Sequence, residues 1–303
     1  MSLLDLFMNG TKKLVEFLLW DNCNNHCKFC FLKENNPCPS FLDNSGREKS
    51  LSEVHKYIST NWDFGDDMLL CGGELFDTPM NNSLKSEFDK LLNTIVNKML
   101  DGSIGYLYIN TNLLYDINVS LIYFLTILSI NGLLTRLRFT TSYDIYGRFK
   151  TDKDRELFFN NVKAIKTMFP VVNIVANIVM TKQFCEEVER GLNISQFQKE
   201  YNLDVNLIPY IILTEDMSPE RDRVLNTLEL VDNQIPGYIN TMVDRFTLST
   251  SRKLLKYFDG KLLELTSDNS SCGHSDNFRR YSKSGECFIC DVISLRDKLY
   301  GRI

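Results

Sequence analysis

The sequence predicts an α/β protein built on a parallel sheet. Short apolar runs rich in β-branched or aromatic residues alternate with helix-like runs, which is the pattern of βα units joined by crossovers. The notable polar residues follow the strand candidates, where parallel sheets gather their functional groups. After about Thr214 the alternation gives way to helix-like segments and a polar tail from Ser267 that carries cysteines.

The strand candidates are Leu14–Trp20, Met68–Cys71, Tyr106–Ile109, Arg136–Thr141, Val172–Met180 and Val205–Ile212. Their near-continuous apolar character is that of strands buried on both faces. Helix candidates lie near Leu51–Asn61, Leu84–Leu100, Val119–Leu134, Arg155–Met168 and Ser195–Tyr201, with starts suggested by Ser52-Glu53 and by Asp152–Arg155. Six such units imply right-handed crossovers. They fit an open doubly wound sheet and an incomplete barrel alike. The expected division is a domain over 1–214 and a C-terminal extension over 215–303.

A chain of 303 residues with 44% hydrophobic and 24% charged residues can bury an ordinary globular core. Its net charge of −5 argues against a broad polyanion-binding surface, although Arg279, Arg280 and Lys283 lie close together near the end. Met1–Lys13 shows no secretory pattern, and Leu121–Ile130 is too short to span a bilayer and reads as a buried helix. A cytoplasmic location is therefore expected.

Nine cysteines, an odd number, do not suggest a disulfide framework. Three fall in Cys23-Asn-Asn-His-Cys27-Lys-Phe-Cys30, and three more are Cys272, Cys287 and Cys290. Clustered thiols point to metal. Three thiolates in one loop suit an iron–sulfur cluster, leaving one metal position open for a small molecule. A single zinc with His26 or His55 as fourth ligand is the alternative. Cys38 and Cys71 read as a loop thiol and a packed apolar residue.

Cys-x3-Cys-x-aromatic-Cys directly after a first strand resembles the signature of the radical S-adenosylmethionine superfamily, with Phe29 at the aromatic position. Gly72-Gly73-Glu74 after the second strand resembles that family's Gly-Gly-Glu element. Thr111-Asn112 resembles its Thr-Asn-Gly element, with Leu113 in place of glycine, and Ser142-Tyr143-Asp144 resembles a Ser-x-Asp element. Pro209, near the sixth strand, has a weaker parallel. The likeness covers roughly residues 14 to 213.

The resemblance implies a partial (βα)6 TIM barrel with a small helical, cysteine-bearing extension. It implies a [4Fe-4S] cluster on Cys23, Cys27 and Cys30, whose fourth iron is chelated by S-adenosyl-L-methionine. Phe29, Gly72, Gly73, Glu74, Asn112, Ser142 and Asp144 would contact or orient that cofactor, with Glu74 receiving the methionyl amine. Reductive cleavage would give a 5′-deoxyadenosyl radical that takes hydrogen from a substrate carbon, the electron coming from a donor such as flavodoxin or ferredoxin. The tail, Cys272-Gly-His274 and Cys287-Phe-Ile-Cys290, resembles a shortened auxiliary-cluster extension of the SPASM or twitch kind. It would hold a second [4Fe-4S] cluster, with His274, another thiol such as Cys185, or substrate as the fourth ligand. A zinc knot of Cys272, His274, Cys287 and Cys290 is the other reading. Three functions follow from these residues: modification of a peptide or protein, modification of a nucleotide or nucleic-acid base contacted by Arg279, Arg280 and Lys283, or a non-enzymatic zinc-binding interaction module.

Overall fold

The structure, a computed structural model, describes residues 13–25, 27, 30, 42–77, 79–144, 147–208, 219–247, 252–258, 261–265, 295 and 298–300. His26, Phe29, Cys38, Pro209, Cys272, His274, Arg279, Arg280, Lys283, Cys287 and Cys290 lie outside the described residues. The chain forms two compact units, one of residues 1–176 with 251–266 and one of 177–250 with 267–303.

In the first unit, parallel strands alternate with helices. The strands are β1 (Leu14–Leu18), β2 (Asp66–Cys71), β3 (Ile104–Asn110) and β4 (Leu137–Ser142). The helices are α1 (Asn44–Thr60), α2 (Asn82–Leu100), α3 (Val119–Ile130) and α4 (Asp152–Met168). Two strands of the C-terminal region complete this sheet, β7 (Arg252–Phe258) and β8 (Lys261–Leu265). The order is β4-β3-β2-β1-β7-β8; β7 runs parallel to β1 and only β8 is antiparallel. The region after Thr214, expected to lack clear strands, therefore supplies two of them. Residues 251–266 belong to the first unit, where β7 lies against β1.

β2 is buried along its whole length, as a strand covered on both faces should be. β3 and β4 instead alternate buried with half-buried residues. Leu107, Ile109, Leu137 and Phe139 are fully buried on one face. The other face carries Tyr106, Tyr108, Asn110, Arg138 and Thr140, tied together by the Arg138 guanidinium over both tyrosine rings and by Thr140 bonded to Asn110. Such a polar face does not suit a filled apolar interior.

Local chemistry sets the helix limits. α1 starts well before Ser52-Glu53, where Asp43 accepts from the Gly46 N–H. Asn81 and Asn118 cap α2 and α3 in the same way, and Thr151 with Asp154 forms a reciprocal capping box on α4. α3 stops at Ile130, and Leu134–Arg136 is a separate 3-10 turn. Expected as a buried helix, α3 buries Leu121, Phe124, Leu125 and Leu128 but leaves Val119 and Ile130 largely exposed. No helix among the described residues is long and apolar enough to cross a membrane.

The second unit follows β5 (Asn173–Val179), which carries the chain from one unit into the other. It contains α5 (Lys182–Glu189), α6 (Ile194–Tyr201), β6 (Asp204–Ile208), α7 (Arg221–Gln234) and α8 (Tyr238–Thr247). Met180 donates to the Ile208 carbonyl, holding the end of β6 beside β5. Cys185 is fully buried on α5, where burial pushes its thiol pKa up and a hydrogen bond to Thr227 opposes it.

A cysteine loop bound to three other strand ends

The candidate site is built where β1, β2, β3 and β4 end, all within the first unit. After β1 the chain stays extended and is bonded along its length. Ser50 of α1 donates to the Leu19 carbonyl, the Gly73 N–H to Trp20 at 2.7 Å, and the Glu74 N–H to Asn22 at 2.8 Å. The Trp20 indole returns a bond to the Glu74 carbonyl at 3.2 Å. This closeness explains the glycines. A Cβ on Gly72 would lie 2.6 Å from the Trp20 carbonyl oxygen, and one on Gly73 would overlap the Asn22 carbonyl. The sequence suggested that they let backbone approach a ligand. They let it approach the cysteine-bearing backbone itself.

Cys23, Cys27 and Cys30 are half-buried thiols, none joined in a disulfide, in the loop that follows. The Cys30 N–H donates to the Cys27 carbonyl at 3.3 Å, and Cys30 packs against Leu18 and Cys71. Amide groups face the sulfurs. The Asn25 backbone N–H lies 3.4 Å from Cys23 Sγ, Asn112 Nδ2 3.6 Å from the same sulfur, and Asn25 Nδ2 3.5 Å from Cys27 Sγ. Burial raises the Cys23 thiol pKa most; these amides lower it, while the charges of Glu74 and Cys27 raise it.

Glu74 is fully buried. Its carboxylate accepts from the N–H groups of Leu75, Phe76 and Asn112 and from the Thr111 hydroxyl, which reaches both oxygens. Burial pushes its pKa up to about 7 against the opposing pull of those bonds. It thus clamps the end of β2 to the end of β3. An incoming ammonium would have to displace one of these donors or bind beside them.

Asn112 is oriented at every polar atom. Its backbone N–H goes to Glu74, its side-chain oxygen accepts from the Leu114 N–H, and its amide also reaches Asn24 at 2.5 Å. Leu113 adopts φ 55°, the left-handed region that glycine favours. Asn161 of α4 holds it by donating to the Leu113 and Tyr115 carbonyls.

After β4, Ser142 is half-buried at the strand end, while Asp144 is buried and accepts from the Gly147 N–H at 2.6 Å. Tyr143 and Phe149 stack on each other and on Phe158 of α4, which anchors this loop.

Cys23, Cys27, Gly72, Gly73, Glu74 and Asn112 are thus linked by direct contacts and one shared backbone network, and Ser142 and Asp144 stand at the next strand end. Sequence reasoning missed Asn25 and Arg148, which also belong to this network. A lone Asn in a loop and a lone Arg after a strand give no pattern to read. Cys71 is buried as expected, with its thiol donating to Glu16 at 3.1 Å.

Among the described residues, no three His, Cys, Asp or Glu side chains converge on one ion. His55, the other possible zinc ligand, is exposed on α1 and bonded to Thr94 at 3.0 Å. The soft donor set, its amide hydrogen bonds and its place at a parallel sheet's C-terminal edge fit an iron–sulfur cluster.

No protein-family model matches the chain, and no curated protein matches it. A solved structure of TYW1 with a lysine–pyruvate adduct bound is similar over 74% of this chain and 72% of that one, at 10% identity and a TM-score of 0.38. That score is below the level at which two folds can be equated.

Proposed function

We propose that this chain is a radical S-adenosylmethionine enzyme. One observation carries the reading: Cys23, Cys27 and Cys30 follow β1 at the C-terminal edge of a parallel sheet, in a loop fastened backbone to backbone to Gly73 and Glu74. Cys23, Cys27 and Cys30 would hold the [4Fe-4S] cluster. With S-adenosylmethionine bound, that cluster supplies one-electron cleavage of the sulfonium and a carbon radical able to take hydrogen from a substrate.

The chain's own residues prepare the place for it. Gly72 and Gly73 let the cysteine loop lie against β2, Glu74 fixes Asn112, and Asn112 and Asn25 present N–H groups to the sulfurs. Ser142 and Asp144, at the next strand end, would meet the cofactor's polar groups. The polar face of β3 and β4 runs from Tyr106 and Arg138 towards Ser142 and offers a surface for substrate. Closure of the strands into a partial barrel belongs to this reading, as does a second metal at Cys272, His274, Cys287 and Cys290. A peptide or protein is the substrate class suggested by the likeness of that tail to auxiliary-cluster extensions.

The test is anaerobic reconstitution with iron and sulfide counts, followed by assay for 5′-deoxyadenosine after dithionite reduction. About four irons signify one cluster and about eight signify two; Cys272→Ala then separates the sites. A reconstituted chain that holds no cubane, or never cleaves the sulfonium, overturns the proposal.

A further inference from the structure

Arg148 is 4% exposed, and its Nε has no hydrogen-bond partner. A buried guanidinium is costly unless negative charge nearby offsets it. Its contacts all lead to the cysteine loop or support its own. Nη2 donates to the Asn112 carbonyl at 2.7 Å, and its backbone carbonyl accepts from Asn25 Nδ2 at 3.2 Å. The guanidinium also lies 6.0 Å from the Phe149 ring centre, against the aromatic cluster that anchors its loop. Those two asparagines are the residues whose amides face Cys23 Sγ and Cys27 Sγ. The backbone at Arg148 therefore holds Asn25, its guanidinium holds Asn112, and that guanidinium places a permanent positive charge near both N–H···S contacts. Burial lowers the guanidinium pKa, and the neighbouring charges of Cys27, Glu74, Cys23 and Asp144 oppose that shift.

We infer that Arg148, acting through Asn25 and Asn112, is a positioning residue that raises the reduction potential of the iron–sulfur cluster held by Cys23, Cys27 and Cys30. The inference rests on the radical-enzyme reading. Reduction adds one electron to the cluster and breaks no bond, making the site one unit more negative. A fixed cation and amide hydrogen bonds to sulfur both favour that more negative state.

The experiment is an anaerobic redox titration of the reconstituted full chain against dithionite, followed by electron paramagnetic resonance. Iron is counted in each sample, and a Cys23→Ala sample identifies the signal of any second cluster. Arg148→Met keeps the volume and removes the charge. Its reduction equilibrium constant should fall about tenfold, a midpoint lower by about 59 mV for a one-electron couple. Arg148→Lys should recover most of that shift, and Asn25→Leu should show a smaller one of the same sign.

Wild-type iron content with an unchanged midpoint in both Arg148→Met and Asn25→Leu overturns the inference. A lysine variant shifted as far as the methionine variant overturns the role of charge. If Arg148→Met does not hold iron, the lysine and Asn25 variants decide the matter by the same criteria. Absence of any cubane in the wild type is the different result that removes the radical-enzyme reading itself, and this inference with it.

Discussion

Replacing Gly73 with alanine would insert a methyl group into the carbonyl of Asn22 and bring it 2.8 Å from that of Asp21. Both obstacles are backbone, so no side-chain rotation can make room. The loop after β1 must move away from β2 by more than 1 Å or so to restore an ordinary carbon–oxygen contact. That movement stretches the Gly73 N–H bond to Trp20 and the Glu74 N–H bond to Asn22, now 2.7 and 2.8 Å. Two buried hydrogen bonds at about 1 kcal/mol each, with an overpacking cost of about 1–3 kcal/mol, give a loss of about 3–5 kcal/mol. Urea denaturation of the metal-free chain measures it as a lower midpoint at unchanged slope. Iron uptake should fall as well, because Cys23 follows the displaced Asn22. A variant within 1 kcal/mol or so of wild type, with full iron uptake, would refute the argument that these glycines exist to seat one backbone on another.

Other consequences can be checked in the same preparations. The Glu74 pKa of about 7 lies above its ordinary 4.5, so the folded chain keeps a proton that the unfolded chain has lost between those values. The contribution of Glu74 to the stability of the metal-free chain should be fully present below pH 4.5 and be lost, by about 3 kcal/mol, as pH rises through 7; the difference between wild type and Glu74→Gln in denaturation curves recorded from pH 4 to 8 or so isolates that slope. Leu113→Gly should relieve about 1 kcal/mol of left-handed strain but forfeit a fully buried leucine worth about 2–5 kcal/mol. The net effect on the urea midpoint is then a loss, and a stabilised glycine variant would contradict it. Asn161→Ala strips the donor from the Leu113 and Tyr115 carbonyls. It should cost about 2–4 kcal/mol and speed amide hydrogen exchange at Leu114, whereas unaltered exchange would mean that α4 does not restrain that loop.

The strands β1 to β4 were legible in the sequence because each is a short apolar run between polar turns, and the cysteines because their spacing is specific. What escaped notice depends on contacts that are distant in sequence. Arg252–Phe258 alternates lysine, arginine and leucine in a way that also suits a helix, and only its register with Leu14–Leu18 makes it a strand. The beginning of α1 is polar and contains Gly46, which argues locally against helix. Around the cysteines, residue types were readable but partners were not. Glu74 was readable as a carboxylate able to bind an ammonium group, but its hydrogen bonds from Leu75, Phe76, Thr111 and Asn112 were not. Arg148 gave no signal, because its place depends on two asparagines that precede it by 123 and 36 positions.

The pairing of β7 with β1 has a consequence for how the protein is made. Leu14 and its register partner Arg252 are joined by more than two hundred intervening residues, and a ribosome adding roughly 5–20 residues per second needs some 10–50 s to synthesise them. Through that interval one edge of the strand that delivers the cysteines has no neighbour, and an apolar edge left open invites association with other nascent chains. The strand on which the first thiols depend is among the earliest to be translated and the last to be enclosed.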